Sequence, residues 1–328
     1  MLGNYNLVLI DSLQLLLMDK FVEFQDKIVL VFGATGQQGG SVTNALRSNG
    51  WRVKALVRDP NSGKSEALAA QGIEPVRGDL ADRQSIEAAM AGVYGVFSVQ
   101  PSSGQGAVYD VTDEDEIRYG KTVADIAVAL GVRHLVYSSV NAAGSTKTGI
   151  GHFDTKSEIE AYIRELNILS TVIRPSAFME ILMLPGMGLD QGTFAFFMRP
   201  DQPMQFIAVE DIGKIVAGIF ADPPKFGSQT IEIAGDTVTG AELAEKFSRT
   251  AGHPITYHRF PASLLEQNAF LGGLARLVDQ GRLAGNADVA LLRQEFPGLL
   301  TMDEWLSGAG RTALLAAIQA NGGEVALR

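Results

Sequence analysis

The chain of 328 residues is long enough to bury a full α/β core plus a smaller subdomain, and its 46% apolar and 20% charged residues are ordinary for a globular enzyme or sensor. A formal charge of −10 argues against autonomous nucleic-acid binding, which needs a concentrated basic surface. The absence of cysteine excludes disulfides, thiolate metal sites, CxxC redox chemistry and a cysteine nucleophile together.

Residues 7–18 are apolar, but Asp11 interrupts them, no cation precedes them, and no small-residue cleavage site follows. Too short to span a bilayer, they are expected to form an accessory helix or to reflect an overlong translation start, with Met18 as a candidate start. Residues 1–25 are therefore set apart as an N-terminal extension. No other stretch looks transmembrane, so a cytoplasmic protein without membrane contact is expected.

From Lys27 short apolar strands alternate with amphipathic helices, the pattern of a doubly wound parallel sheet in an α/β fold. Residues 27–32 (KIVLVF) are apolar almost throughout, as a strand buried on both faces must be. A helix is expected over residues 39–48, ended by Asn49-Gly50, then strands over Arg52–Val57 and 74–76 separated by a helix over 65–71. Helices over residues 79–90, 114–130 and 157–166 then alternate with strands over 95–99, 133–138 and 169–174. After Pro175 the alternation loosens, and the Gly-, Pro-, Met- and Phe-rich residues 183–203 look like a loop over a cleft. Thr230–Ile233 reads as a strand, and Thr239 with Glu242 and Thr301 with Glu304 form capping boxes. Residues 26–178 are thus expected to be a Rossmann core. Residues 179–328 would be a smaller α+β subdomain that meets substrate or partner, the two forming one unit over about 27–306.

The chemistry-bearing motif is Gly33-Ala34-Thr35-Gly36-Gln37-Gln38-Gly39, placed directly after the first strand and opening a helix. That context makes GxxGxxG a dinucleotide fingerprint. Gly33 permits the tight turn, Gly36 lets the backbone approach a pyrophosphate, and Gly39 lets helix and strand pack closely. The helix N-terminus then offers free N–H groups to the phosphates. A kinase-type phosphate loop ending in Gly63-Lys64-Ser65 is excluded, because Arg58 stands where its first glycine is needed. Arg58 also ends the second strand, where NAD-selective folds carry a carboxylate. A guanidinium there suits a 2′-phosphate, which favours NADP(H); Asp59 beside it keeps NAD(H) as the alternative.

The string Val31-Phe32-Gly33-Ala34-Thr35-Gly36-Gln37-Gln38-Gly39-Gly40-Ser41-Val42 closely resembles the start of NmrA-like proteins, atypical relatives of the short-chain dehydrogenase/reductases. The resemblance continues through Val57-Arg58-Asp59-Pro60, Gly78-Asp79-Leu80 and His152-Phe153-Asp154-Thr155-Lys156. It runs on through Arg174-Pro175, Phe178-Met179-Glu180 and Leu300-Thr301-Met302-Asp303-Glu304-Trp305-Leu306. It implies that Gly33, Thr35, Gly36, Gln37, Gln38 and Gly39 line the pyrophosphate, that Arg58 holds the 2′-phosphate, and that Asp79 and Leu80 flank the adenine. By the same resemblance Gln100 and Pro101 lie by the nicotinamide ribose, Lys156 hydrogen-bonds it, and residues Pro175 to Phe178 close over the nicotinamide.

One position departs from the reductases. They place a Tyr four residues before the Lys, whose charge depresses the phenol pKa for proton transfer. Here His152 stands four residues before Lys156, and none of the seven tyrosines has a lysine four positions later. His152 is a candidate general acid, since its ordinary pKa lies near neutrality, or else a plain helix-entry residue. Ser138 or Ser139 is a candidate carbonyl-binding hydroxyl, or else a strand-end hydrogen bonder. His134, His253 and His258 make no metal-ligand spacing, so no metal is expected.

Two functions fit. One is an NADP(H)-binding redox sensor or regulator without the usual catalytic tyrosine, which signals to a protein partner. The other is an NAD(P)H-dependent reductase of quinones or similar carbonyl compounds, motivated by the apolar Met179, Met183, Met187, Phe194 and Phe196, unless these are core packing.

Overall fold

The computed structural model describes residues 24, 26–102, 111–320, 322, 323 and 325; the extension expected over residues 1–25, with the apolar run 7–18, lies almost wholly outside them. A seven-stranded sheet, parallel at every pairing, organises the chain. Its strands are β1 (Ile28–Val31), β2 (Arg52–Val57), β3 (Glu74–Arg77), β4 (Gly95–Ser98), β5 (His134–Ser138), β6 (Ser170–Pro175) and, far along the chain, β10 (Thr230–Ile233). They lie in the order β10-β6-β5-β4-β1-β2-β3, which reverses direction between β1 and β4. That reversal opens a crevice at the C-terminal strand ends, where ligands of such sheets bind.

Successive strand residues feed two cores. On one face Val29, Val31, Val53, Ala55 and Phe97 pack with the helices α1 (Gln37–Ser48) and α6 (Val209–Ala221). On the other, Leu30, Phe32, Val96 and Leu135 pack with α3 (Arg83–Met90), α4 (Asp113–Ala129) and α5 (Gly151–Glu165). The remaining helix of the first half is α2 (Gly63–Ala70).

Beyond β6 the chain forms β7 (Ala177–Phe178), β8 (Thr193–Phe196), β9 (Met204–Ile207), the short α7 (Pro223–Phe226), β11 (Asp236–Val238), α8 (Gly240–Ala251) and β12 (Thr256–Arg259). Helices α9 (Ala262–Gln267), α10 (Ala269–Asp279), α11 (Val289–Glu295), α12 (Met302–Ser307) and α13 (Ala309–Gln319) follow. A third core gathers here around Phe194, Phe206, Phe247, Leu271 and Trp305. The main sheet spans the division at residue 178, because β10 pairs with β6 and α6 packs on α1.

Two expectations need correction. The segment read as a loop over a cleft contains β8, which pairs in parallel with β12 and buries Phe194 and Phe196, with Phe197 and Met198 buried directly after it. Met179, Met187, Phe194 and Phe196 are all fully buried in the third core, so they are packing residues and do not line an open apolar pocket. The second concerns α5, which starts at Gly151, six positions before the Ser157 expected to open it. Its first turn is held by Asp154, whose carboxylate accepts from the Thr148 and Gly149 N–H groups at 2.7 and 3.0 Å. Ser157 instead donates back to the Phe153 carbonyl.

Candidate functional site

The glycine loop joins β1 to α1 at the crevice. Gly33 has φ +66°, a left-handed conformation that an L side chain adopts only with strain. A Cβ on Gly39 would lie 2.2 Å from the Gly33 carbonyl oxygen, so only glycine allows α1 to start this close to β1. Gly36 caps α1 without a side-chain hydrogen bond, and the N–H groups of Gln37, Gln38 and Gly39 find no partner among the described residues. A bare first turn of this kind combines free donors with the positive end of the helix dipole, which suits a phosphate.

At the edge of the sheet, the ends of β2 and β3 frame a cleft of about 350 Å³ lined by Arg58, Arg77, Gly78, Asp79, Asp82 and Ser85. Arg77 pairs in register with Val57, one residue before Arg58, so two guanidinium-bearing residues share one cleft. Both are exposed, and neither has an ion pair or side-chain hydrogen bond among the described residues. Arg77 escaped the sequence reading; the adjacency of β2 and β3 is the signal that finds it. Asp79 turns its carboxylate onto the Ala81 N–H at 2.8 Å, and Leu80 is partly buried against the core under α3.

Past β4, Gln100 is buried, donating to Ser98 Oγ at 2.8 Å, while its own Oε1 is buried without a partner. An unpaired buried acceptor is costly, and its position beside the crevice fits a ligand donor. Pro101 follows, partly exposed. Across the crevice Ser138, at the end of β5, donates to Gln38 Oε1 at 2.7 Å. Ser139 donates to Glu160, which in turn pairs with Arg174, so its hydroxyl belongs to a buried network. Pro175 is buried, and Phe178 is half-buried against the core under α1.

His152 and Lys156 occupy the first two turns of α5. His152 Nδ1 lies 3.0 Å from Ser102 Oγ. Burial of the ring, and then the Lys156 charge, hold His152 well below the ordinary histidine range. A ring that is neutral at pH 7 is a poor proton donor, which weighs against the general-acid role. Lys156 Nζ donates to Glu116 Oε1 at 2.5 Å and to the His152 carbonyl at 3.2 Å. No hydrogen bond among the described residues joins Ser138 to His152 or Lys156, and none brings a phenol to Lys156. Among the described residues, no group of three His, Cys, Asp or Glu side chains is placed to hold a metal ion. No described helix is long and apolar enough to cross a membrane.

The model of the NmrA-like family matches residues 25–290. The chain belongs to the NmrA-like family. The NmrA-like family domain-containing oxidoreductase malD of Malbranchea aurantiaca is 30% identical over 254 residues, covering 71% of this chain and 75% of its own. The fold is shared with NmrA, a negative transcriptional regulator whose crystal structure is a complex with NADP (TM-score 0.72, 22% identity, 89% of this chain and 98% of that one). It is shared equally with the NADPH-dependent quinone oxidoreductase QOR2 of Escherichia coli, solved with NADPH (TM-score 0.68, 23% identity, 86% and 99%).

The remaining signatures of the NmrA-like chain have structural roles. Ala208, at the start of α6, offers no side-chain cap, and Glu180 supplies one by accepting from the Val209 N–H at 3.0 and 3.2 Å. Burial raises the Glu180 pKa, opposed by hydrogen bonds that include one to Trp305 of the C-terminal signature. Ser41 of α1 meets Gly213 of α6 so closely that a Cβ there would lie 2.4 Å from the Ser41 carbonyl oxygen.

Proposed function

We propose that this NmrA-like chain binds NADP(H), with NAD(H) as the weaker alternative, and reports the state of that dinucleotide to a protein partner instead of turning it over. The observation that carries the binding is the bare first turn of α1 beside the Gly33 turn, together with the unpaired Arg58 and Arg77 at the ends of the neighbouring strands β2 and β3. In this reading Gly33, Thr35, Gly36, Gln37, Gln38 and Gly39 receive the pyrophosphate, and Arg58 the 2′-phosphate. Asp79 and Leu80 border the adenine. Gln100, through its unpaired Oε1, Pro101 and Lys156 meet the nicotinamide ribose. Pro175 and Phe178 border the ring, which when bound supplies or accepts a hydride.

The sensor role rests on the lack, among the described residues, of a proton donor beside that ring. The phenol of active reductases is replaced by His152, whose pKa is depressed, and the Ser138 hydroxyl is committed to Gln38. Residues 179–328 supply the partner-facing or substrate-facing side, and a cytoplasmic setting suits the charge of −10 and the dinucleotide pool.

A second reading is an NAD(P)H-dependent reductase of quinones or similar carbonyl compounds. It is supported by relatives named as oxidoreductases and by a quinone oxidoreductase of the same fold. A quinone can take its proton from water, so the missing phenol does not exclude it.

Calorimetric titration with NADP+, NADPH, NAD+ and NADH, followed by NADPH oxidation assays with quinones, separates the two. The sensor reading expects strong discrimination by oxidation state and no steady turnover. Turnover that glycine-loop substitutions abolish would reverse the preference.

A further inference from the structure

The sequence reading did not include Glu116, yet it contacts the most distinctive residue of the site. It lies in an acidic run, Asp113-Glu114-Asp115-Glu116, that opens α4 and looks like a solvated helix start. Glu116 is instead fully buried, on the inward stripe it shares with Gly120, Val123 and Ala127. Its Oε1 receives Lys156 Nζ at 2.5 Å and its Oε2 receives Thr155 Oγ1 at 3.0 Å. The side chains of Lys156 and Glu116 are 8% and 1% exposed.

The two helices are locked together here. A Cβ on Gly120 would lie 2.7 Å from Ile159, and one on Gly151 would lie 2.0 Å from the Asp113 carboxylate. The Glu116 carboxylate thus sits between two closely packed helices, and among the described residues Lys156 keeps one N–H without a partner after bonding Glu116 and the His152 carbonyl. A lone ammonium lowers the pKa of a nearby phenol through its net charge. An ammonium in contact with a carboxylate exerts a weaker field than a lone one, although it still donates hydrogen bonds.

We propose that Glu116 is the positioning residue of this site: its buried carboxylate fixes the Lys156 ammonium as a hydrogen-bond donor to a ribose hydroxyl and offsets part of the charge with which such a lysine activates a phenol. The ribose contact rests on the dinucleotide reading above; the weakened charge does not. Replacement of the tyrosine by His152 and the pairing of Lys156 are then two parts of one change, and restoring the phenol alone does not restore its reactivity. Among the described residues, the titratable groups coupled to the pair are His152 from α5 and Tyr137 from β5. The Tyr137 phenol is held well above the ordinary range by burial, then by Glu116 and Glu160.

The test uses the full chain and needs no ligand for its first arm. In His152→Tyr the introduced phenol, followed by phenolate absorbance against the wild-type background, should titrate at or above the ordinary value of about 10. Adding Glu116→Gln should move that midpoint down by about one pH unit or more. An introduced phenol already well below 10 with Glu116 in place overturns the proposal, as does a midpoint that Glu116→Gln leaves unmoved. Should the double variant not fold, the single variant still decides. In the second arm, Glu116→Gln in the otherwise native chain should weaken NADP+ binding several-fold while leaving 2′,5′-ADP, which lacks the nicotinamide ribose, unchanged. Equal losses for both ligands would remove the positioning role. A wild-type chain that binds neither would refute the dinucleotide reading and leave the absorbance result standing.

Discussion

Ser138 donates its hydroxyl hydrogen to Gln38 Oε1 at 2.7 Å, tying the end of β5 to the first turn of α1 across the crevice. Ser138, a candidate for a substrate carbonyl or for a strand-end hydrogen bond, thus bonds to the glycine loop. Ser138→Ala and Gln38→Ala should each weaken NADP+ binding by about 0.5–1.5 kcal/mol, the scale of one hydrogen bond. The double variant should lose little more than either single one. Fully additive losses by calorimetry would show that the two side chains act separately.

The glycines of the loop differ from other glycines in a way that stability measurements can read. At Gly39 an added Cβ meets the Gly33 carbonyl at 2.2 Å, whereas at Gly63 nothing lies within 4 Å. Gly39→Ala should destabilise the chain by about 1–3 kcal/mol and abolish dinucleotide binding, because α1 must shift off β1. Gly63→Ala, in the first turn of α2, should be neutral or slightly stabilising. Urea unfolding of the two variants side by side gives the comparison.

Arg58→Ala and Arg77→Ala should each weaken NADP+ binding by roughly 1–3 kcal/mol, the range for charge-assisted hydrogen bonds, and leave NAD+ nearly unchanged. The losses should shrink at high salt, since both guanidinium groups are exposed. Equal losses for both dinucleotides would mean that the cleft does not read the 2′-phosphate.

His134 gives the fold a dependence on pH. Its ring is buried in β5, and Nε2 lies 2.8 Å from Thr171 Oγ1, whose own hydrogen goes to the Phe226 carbonyl. Nε2 must therefore be the donor, and Nδ1 has no partner. Burial lowers the pKa to about 4. The folded value lies below that of the unfolded chain, about 6.5. The stabilising contribution is thus complete above pH 6.5 and is lost as the pH falls towards 4, on the order of 3 kcal/mol in all. The raised acids Glu180 and Asp211 work in the opposite direction. Because they are common to both proteins, His134→Gln should show a flatter stability profile than wild type between pH 7 and 4.5. Parallel profiles by urea unfolding would contradict this.

Most of the sheet is legible in the sequence because strands buried on both faces read as apolar runs, as residues 27–32 do. Arg52–Val57 and Thr230–Ile233 have the bounds expected of them. The position of Thr230–Ile233 within the main sheet was not legible, since pairing with β6 is a contact across the fold that no local pattern encodes. The start of α5 was missed because Ser157 has the chemistry of an N-cap, while the residue that holds the first turn, Asp154, lies inside the helix and reaches backwards. β8 was hidden by the glycines and methionines around it, and its partner β12 lies some sixty residues further on.

The candidate site divides in the same way. The glycine loop and Arg58 are local features, and the structure sets them after the adjacent strands β1 and β2. Arg77 and Glu116 become visible only when neighbouring strands and helices are known. A signal for Glu116 was present in its spacing, since it stands four and seven residues before Gly120 and Val123 on the buried stripe of α4.

The return of the chain to the main sheet through β10 limits how the protein can be cut. Between Pro175 and Thr230 it forms β7, β8 and β9, then α6 and α7, before it pairs with β6. A fragment ending at Phe178 would keep the glycine loop and every strand from β1 to β6, yet leave β6 as an open edge and strip α6 from α1. An uncovered, strongly apolar edge pairs readily with copies of itself. Expressed alone, the dinucleotide half should therefore collect in aggregates, and co-expression with residues 179–328 should return it to solution.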